Sequence, residues 1–435
     1  MFFQKDIQMM SRSDIEADQL AKLKKLVKYC YDNSPFYHKR FDENGISPDA
    51  IKSLKDIERI PFTTKADLRD NYPFGVMAVP MKKIVRLHAS SGTTGKPTVV
   101  GYTANDLDAW SDCVARLVNA AGADDTSLVQ ICFGYGLFTG ALGLHYGLEK
   151  LGATIVPSSS GNTEKQIMLM QDFGTDTLVA TPSYAQYIGE LAKEKGVLDK
   201  IHLKLGLLGS EGCTIEMRNA IEKTTGMFVT DNYGMSELGG PGVSGECRER
   251  AGMHICEDHF LCEIIDPATG EVLPEGSEGE LVVTTLTKEG MPVLRYRTRD
   301  ITSITYEKCR CGRTTARMGK PKGRSDDMLK IRGVNVFPSQ IESVLMTFDE
   351  IAPHYQLVLT RENFADHLEI KVELNENYSD MLDNYAALEA LHARITKELK
   401  IVLGIATKLT IVDCKTLERF QGKAKRIVDL RNEGK

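Results

Sequence analysis

The chain has 435 residues, 42% hydrophobic and 26% charged, with a formal net charge of −6. This length suits one large core plus a smaller domain, since single cores stop growing near ~250–300 residues. No stretch is basic enough for a nucleic-acid partner, no apolar run approaches the roughly 18–20 residues that span a bilayer, and residues 1–6 lack the apolar region of a secretory signal. The expected compartment is therefore the cytoplasm, with no membrane partner.

Residues 15–30 have helical periodicity, with Leu20, Leu23, Leu26, Val27 and Cys30 on one face. From about residue 85 to 233, apolar strands alternate with helical stretches. Strands are expected at 128–133, 154–157, 177–180, 205–208 and 228–232, and helices at 140–151, 163–173, 182–195 and 215–225. Repeated β-α-β units imply a parallel sheet with helices on its faces. After Gly240 the pattern changes to short strands, expected at 254–261, 262–265, 279–285 and 301–306, and suggests a β-rich subdomain over about 241–318. A glycine- and charge-rich stretch at 319–327 reads as a linker. Beyond it, helices at 340–348 and 383–403 and strands at 355–360, 368–374 and 409–412 make a small α+β domain. The expected organisation is a large α/β domain over 1–325, with parallel sheets and the β-rich part, joined by a hinge to a mobile domain over 326–435.

The sharpest local signal is Ser90-Ser91-Gly92-Thr93-Thr94-Gly95-Lys96-Pro97. Two glycines permit positive φ and close approach of N–H groups to an anion; four hydroxyls and one ammonium add donors. The loop suits a polyphosphate but is not a P-loop. Only two residues separate its glycines, Pro follows the Lys, and residues 98–102 read as a strand rather than a helix. The plain alternative is a polar hairpin turn.

These eight residues resemble the signature of the adenylate-forming superfamily, and further motifs follow in the superfamily's order. Tyr233-Gly234-Met235-Ser236-Glu237, after the strand ending at Asn232, resembles the motif that packs its aromatic ring on adenine, meets the α-phosphate with its hydroxyl and binds Mg²⁺ through its glutamate. That assignment suits a hard cation that takes one or two carboxylates plus phosphate oxygens. Tyr296-Arg297-Thr298-Arg299-Asp300 resembles the ribose-binding motif, with Asp300 on the hydroxyls; Arg299 stands where the motif has glycine, a less permissive backbone. The run from Gly323 to Gly333 resembles the hinge, with Arg324 reaching the ribose and Asp326 as pivot. Ser210-Glu211-Gly212 is placed by resemblance at the adenine and acid pocket. Gln421-Gly422-Lys423-Ala424-Lys425 resembles the last motif, whose catalytic lysine would be Lys423, with Lys425 the competing assignment. ATP, AMP and coenzyme A are the implied nucleotides.

Residues 61–65 (Pro-Phe-Thr-Thr-Lys), 71–75, 133–140 and 332–338 extend the resemblance to the phenylacetate–coenzyme A ligase family, whose members activate an aryl acid as its adenylate and then form the thioester. Within the aromatic and glycine-rich stretch 133–140, Tyr135 and Phe138 are the candidate walls of an acid pocket. The acid itself stays open among phenylacetate, indoleacetate, a hydroxylated phenylacetate and a benzoate. Transfer to a carrier-protein thiol and a non-catalytic nucleotide-binding scaffold are the alternatives, and a homodimer is suggested by resemblance alone.

Half of the ten cysteines fall between Cys247 and Cys311. Cys247, His254, Cys309 and Cys311 could supply a tetrahedral set for a structural Zn²⁺. Cys256, His259 and Cys262 are rival ligands, His254, Cys256 and Cys262 being expected on one strand face. Reduced, buried thiols without metal are the other reading.

Overall fold

The alternation of strands and helices between residues 128 and 235 closes into one sheet. The structure is a computed structural model and describes residues 2–90, 97–325, 329–331, 334–362, 365–420 and 424–431. It divides into two units: Met1–Ala180 with Asp199–Ser210 and Met227–Pro321, and Thr181–Leu198 with Glu211–Gly226 and Lys322–Lys435. In the first unit, Thr154–Val156, Leu128–Ile131, Thr177–Ala180, Leu205–Gly209 and Phe228–Met235 lie side by side, all parallel. Thr177–Ala180 and Leu205–Gly209 are buried at every position, as central strands of a parallel sheet require.

At Gly239 and Gly240, with φ of 121° and 110°, the chain reverses. Gly240–Glu246 then runs antiparallel to Phe228–Met235. Met253–Ile255, Arg317–Met318 and Ile304–Thr305 complete nine strands. A second sheet pairs Phe260–Ile265, Gly279–Thr285 and Tyr296–Thr302 antiparallel. The strand expected at 254–261 is therefore two strands in two sheets. Between them the N–H groups of His259 and Phe260 both donate to the Cys256 carbonyl, at 2.9 and 3.0 Å. The buried Glu257 carboxylate anchors this turn by accepting from Arg12 and from the Ala316 N–H at 2.7 Å. Apolar residues flank the turn on both sides, so the hydrophobic pattern runs through it unbroken. The strand expected at 301–306 likewise divides, into Tyr296–Thr302 and Ile304–Thr305.

The helix Arg12–Asn33 extends past the expected span at both ends, and Ser11 sets its start by accepting from the Asp14 N–H. Its buried face, including Leu23, Leu26, Val27 and Cys30, joins the core of the second sheet with Ile264, Leu281 and Val283. The helix Ala104–Ala121 starts with a Thr103/Asp106 capping box and stops at left-handed Gly122. It packs closely on Thr139–Leu151 because Gly143 and Gly147 lack side chains: a Cβ at either would lie 2.3 Å from Trp110 or Val114.

The second unit holds helices Pro182–Glu194 and Ile215–Thr225 and the chain from Lys322. Ile351–Glu362 and Ala365–Leu374 form a hairpin, flanked in parallel by Ile427–Asp429 and Lys408–Val412 respectively. Leu357, Ile370 and Val372 pack with Leu391, Ile395 and Leu399 of the helix Tyr385–Leu403 in one core. Among the described residues no helix is long and apolar enough to cross a membrane.

Candidate active site

The polyphosphate-like loop joins two antiparallel strands, Arg86–Ala89 and Val99–Tyr102. Ser90 closes its base, donating its N–H to the Thr98 carbonyl at 2.9 Å and accepting the Thr98 N–H on its hydroxyl at 3.2 Å. Ser91, Gly92, Thr93, Thr94, Gly95 and Lys96 lie outside the described residues, as do Asp326, Gly333 and Lys423.

Tyr233 and Asp300 come together in the first unit. The Tyr233 hydroxyl donates to Asp300 Oδ2 at 2.5 Å. Burial and the carboxylate push the phenol well above its usual range, so it stays a donor. Gly234 has no room for a side chain: a Cβ would lie 2.0 Å from the Gly240 carbonyl oxygen. Asn232, one residue before Tyr233, donates to the Leu208 carbonyl at 2.7 Å, tying this strand end to the one that leads into Ser210. Ser210 itself is left-handed, with φ of 73°.

Arg299, at the position where the motif has glycine, is left-handed, with φ of 70°, a region that favours glycine. What holds it there is Glu280, which is fully buried. The Arg299 N–H and guanidinium reach Glu280 at 3.3 and 3.5 Å, while Arg297 pairs with both Glu280 oxygens at 3.0 and 2.6 Å. One carboxylate thus sets the backbone on the N-terminal side of Asp300.

Glu237 is buried, and its Oε1 has no hydrogen-bond partner among the described residues. Lys65 Nζ faces that oxygen at 3.7 Å. Lys288 Nζ donates to the Glu237 carbonyl at 3.4 Å, and burial pulls its ammonium down to about 8, against the pull of Asp106 and Glu237. Ser236 Oγ is 3.3 Å from Thr139 Oγ1. In the sequence, Pro61–Lys65 marks only the family resemblance and Lys288 belongs to no motif. The shared sign that could have found both is a lysine beside an otherwise unexplained buried carboxylate, and that is visible only in three dimensions.

Of the candidate pocket walls, Tyr135 is partly buried and packs on a core cluster that includes Trp110 and Leu144. Its hydroxyl is 3.0 Å from His145 Nδ1. Phe138 is 53% exposed and precedes the helix Thr139–Leu151. Trp110, the chain's only tryptophan, was missed. Its indole N–H donates to the Pro241 carbonyl at 2.5 Å, and its ring stacks on Tyr102 at 5.3 Å beside His88. In the second unit, Glu211 accepts from the Ser183 hydroxyl at 2.7 Å and the Ala424 N–H at 3.2 Å, and burial raises its carboxyl. At Gly212 a Cβ would meet nothing within 4 Å among the described residues, and Arg324 lies on the short strand Gly323–Arg324.

Cys247, His254, Cys309 and Cys311 converge in the first unit, with their ligand atoms all within 4.8 Å of one another. Cys247 and Cys309 sulfurs are 3.8 Å apart, and Cys311 Sγ is 3.4 Å from His254 Nε2. His254 Nδ1 meets the Thr315 hydroxyl at 3.1 Å, which leaves Nε2 facing the thiols. The rivals point elsewhere. Cys256 Sγ reaches the Cys113 carbonyl, and His259 pairs with Asp258 and Thr287. The expected single strand face for His254, Cys256 and Cys262 does not exist, because the turn at 256–259 separates them.

Two family models match this chain, AMP-binding enzyme over residues 17–287 and AMP-binding enzyme C-terminal domain over 333–431. The phenylacetate–coenzyme A ligase of Thermus thermophilus is 48% identical, over 99% of this chain and 100% of that protein. That of Aromatoleum evansii is 50% identical, over 98% and 96%. The chain belongs to the phenylacetate–coenzyme A ligase family of AMP-binding enzymes. The resemblance drawn from the motifs is thereby borne out. The structure of 2-hydroxyisobutyryl-CoA ligase with R3-HIB-AMP matches with a TM-score of 0.92 at 28% identity, over 98% of this chain and 92% of that one. The adenylate-forming α/β fold follows, with its large N-terminal and small C-terminal domains.

Relieving a left-handed residue gains about 1 kcal/mol or more, and the half-exposed Arg299–Glu280 contact offsets roughly 0–1 kcal/mol of that. Arg299→Gly should therefore raise the unfolding free energy by between 0 and about 2 kcal/mol and leave the KM for ATP unchanged. Glu280→Ala, which strands Arg297 and frees the backbone before Asp300, should cost about 3–5 kcal/mol by denaturant unfolding.

Proposed function

We propose that the protein joins a small aryl carboxylic acid, phenylacetate or a close analogue, to coenzyme A through an acyl-adenylate. The observation that carries this reading is near-full-length identity of about one residue in two to phenylacetate–coenzyme A ligases. The geometry of Tyr233, Asp300 and Glu237 supports it.

A free carboxylate is a poor electrophile, so the acid must first gain a leaving group. Its oxygen attacks the α-phosphorus of ATP, the bond to pyrophosphate breaks, and the mixed anhydride forms. The coenzyme A thiol then attacks the acyl carbon and AMP leaves. Asp300 accepts from the ribose hydroxyls, with its orientation set by Tyr233 and by the Glu280-held backbone. Lys423 neutralises charge as the adenylate forms, the class of stabilisation that gives the largest catalytic gains. The chain from about residue 326 onward turns between the two half-reactions and withdraws Lys423 from the second. Water must stay out until the thiol arrives, since the anhydride is readily hydrolysed. The glycine-rich and aromatic stretch 133–140, with Tyr135 and Phe138, is the proposed acid-binding wall.

The residues present fit Mg²⁺ at Glu237, whose buried oxygen lacks a hydrogen-bond partner among the described residues and already faces a lysine ammonium. Bound there, Mg²⁺ would neutralise phosphate charge; the chain's own part is to hold the carboxylate through Lys65 and the Glu237 main chain through Lys288. The cysteine cluster fits Zn²⁺. A tetrahedron with Zn–S bonds of about 2.3 Å has edges near 3.8 Å, the separation of Cys247 and Cys309. Cys247 and His254 lie on or after neighbouring strands, and Cys309 and Cys311 on a connection between two others. Zinc there would be structural, joining the edge of the nine-stranded sheet.

With ATP, coenzyme A and a panel of acids, AMP release should require both an arylacetate and coenzyme A. Acid-dependent pyrophosphate exchange with no coenzyme A turnover would show a different thiol acceptor. Metal analysis should find about one zinc per chain. Cys311→Ser should lose the zinc and lower the unfolding midpoint, whereas metal-free protein with an unchanged midpoint would refute the site.

A further inference from the structure

Glu373 has no part in any nucleotide motif, yet it is completely buried at the end of the strand Ala365–Leu374. A carboxylate taken out of water needs full compensation by hydrogen bonds or opposite charge. Nearly all of that compensation comes from one later stretch of chain. Glu373 accepts the N–H of Lys415 at 3.1 Å and the N–H of Leu417 at 2.5 Å. Arg419 grips both of its oxygens, at 2.9 and 2.7 Å, and donates as well to the Leu417 carbonyl at 3.0 Å. These bonds fasten residues 415–419, a segment outside any helix or strand, to the hairpin core of the second unit.

The same chain is fastened again a few residues later. Arg426 pairs with the buried Glu342 and donates to the Tyr355 hydroxyl at 2.9 Å. Its carbonyl accepts from the Leu357 N–H at 2.7 Å, and the strand Ile427–Asp429 begins at once. Lys423 lies in the sequence between the two anchors, four residues after Arg419 and three before Arg426. The downstream anchor directly precedes a strand whose own ladder ties that chain to Ile351–Glu362. The upstream anchor has no such ladder: residues 415–419 belong to no helix or strand, and the other ties of this stretch include the exposed side-chain pairs of Lys415 with Glu194 and Glu376, at 3.0 and 3.1 Å, which as surface ion pairs contribute little.

We infer that Glu373 is a positioning residue for the adenylation half-reaction, acting through Lys423 by fixing the chain that leads into it; this rests on the role proposed above for Lys423. A side chain displaced by about 1 Å can cost on the order of a hundredfold in rate. Thioester formation, from which Lys423 is absent, does not need this anchor.

The test separates the half-reactions in the full-length enzyme. Glu373→Gln should lower kcat for phenylacetate-dependent ATP–pyrophosphate exchange by about tenfold or more, with KM for ATP within about threefold. Thioester formation from supplied phenylacetyl-adenylate and coenzyme A should stay within about threefold of wild type. Arg419→Met, which removes the same staple from its more exposed side, should repeat the pattern if Glu373→Gln folds poorly, and Arg419→Lys should recover part of the loss. Lys423→Ala in parallel keeps the two proposals apart. If Lys423→Ala spares adenylation, the role of Lys423 fails first. If it abolishes adenylation, then Glu373→Gln placed on that background should cause no further loss in the residual rate. Equal loss of both half-reactions, unchanged adenylation, or an additive effect on the Lys423→Ala background would overturn the inference.

Discussion

A buried carboxylate that accepts main-chain N–H groups is the interaction on which the loops of both units depend. A loop has no ladder of its own, and its N–H groups must find acceptors or stay in water. Here the acceptors are charged, which makes such bonds shorter and stronger than neutral ones. Asp106 takes the N–H groups of Thr103, Glu289 and Gly290 and so joins a helix start to a distant loop. Glu280 holds the approach to Asp300, Glu257 turns the chain between two sheets, and Glu373 fastens residues 415–419. Each of these side chains is buried, so removing one leaves several donors unpaired at once.

The parallel strands supply the other half of the design. Leu205–Gly209 and Phe228–Met235 end next to each other, which places Ser210 and the Tyr233–Glu237 run at the carboxyl edge of the sheet, where ligands of open parallel sheets bind. Close approach there depends on missing side chains. Gly234 admits the returning strand from Gly240, and Gly240 in turn leaves room for Trp110. The Tyr233–Asp300 bond then links this edge to the second sheet, which carries Asp300 on Tyr296–Thr302.

The periodic part of this architecture was legible in the sequence. Every strand and α-helix between 128 and 235 was expected within a few residues, because apolar runs and capping residues there agree with each other. The cysteine and histidine set was legible too, since its chemistry narrows the choice even though the spacing does not. What was not legible arises from contacts distant in sequence. The turn at 256–259 breaks an unbroken apolar pattern through Glu257 and Ala316. The strand Ile427–Asp429 exists because the Ile351–Glu362 edge receives it. Lys288 and Trp110 gain meaning only beside Glu237 and Gly240, some tens of residues or more away. Arg299 shows the converse: a residue that looked wrong for its motif holds the glycine conformation because a buried glutamate enforces it.

The measurement that tests the central claim most directly follows one oxygen atom. Phenylacetate labelled with ¹⁸O in both carboxylate positions is converted with ATP and coenzyme A, and the products are weighed by mass spectrometry. An acyl-adenylate route leaves one labelled oxygen in each AMP and none in pyrophosphate, because the acid's oxygen attacks the α-phosphorus and departs with it. Unlabelled AMP, or label in pyrophosphate or inorganic phosphate, would contradict the account.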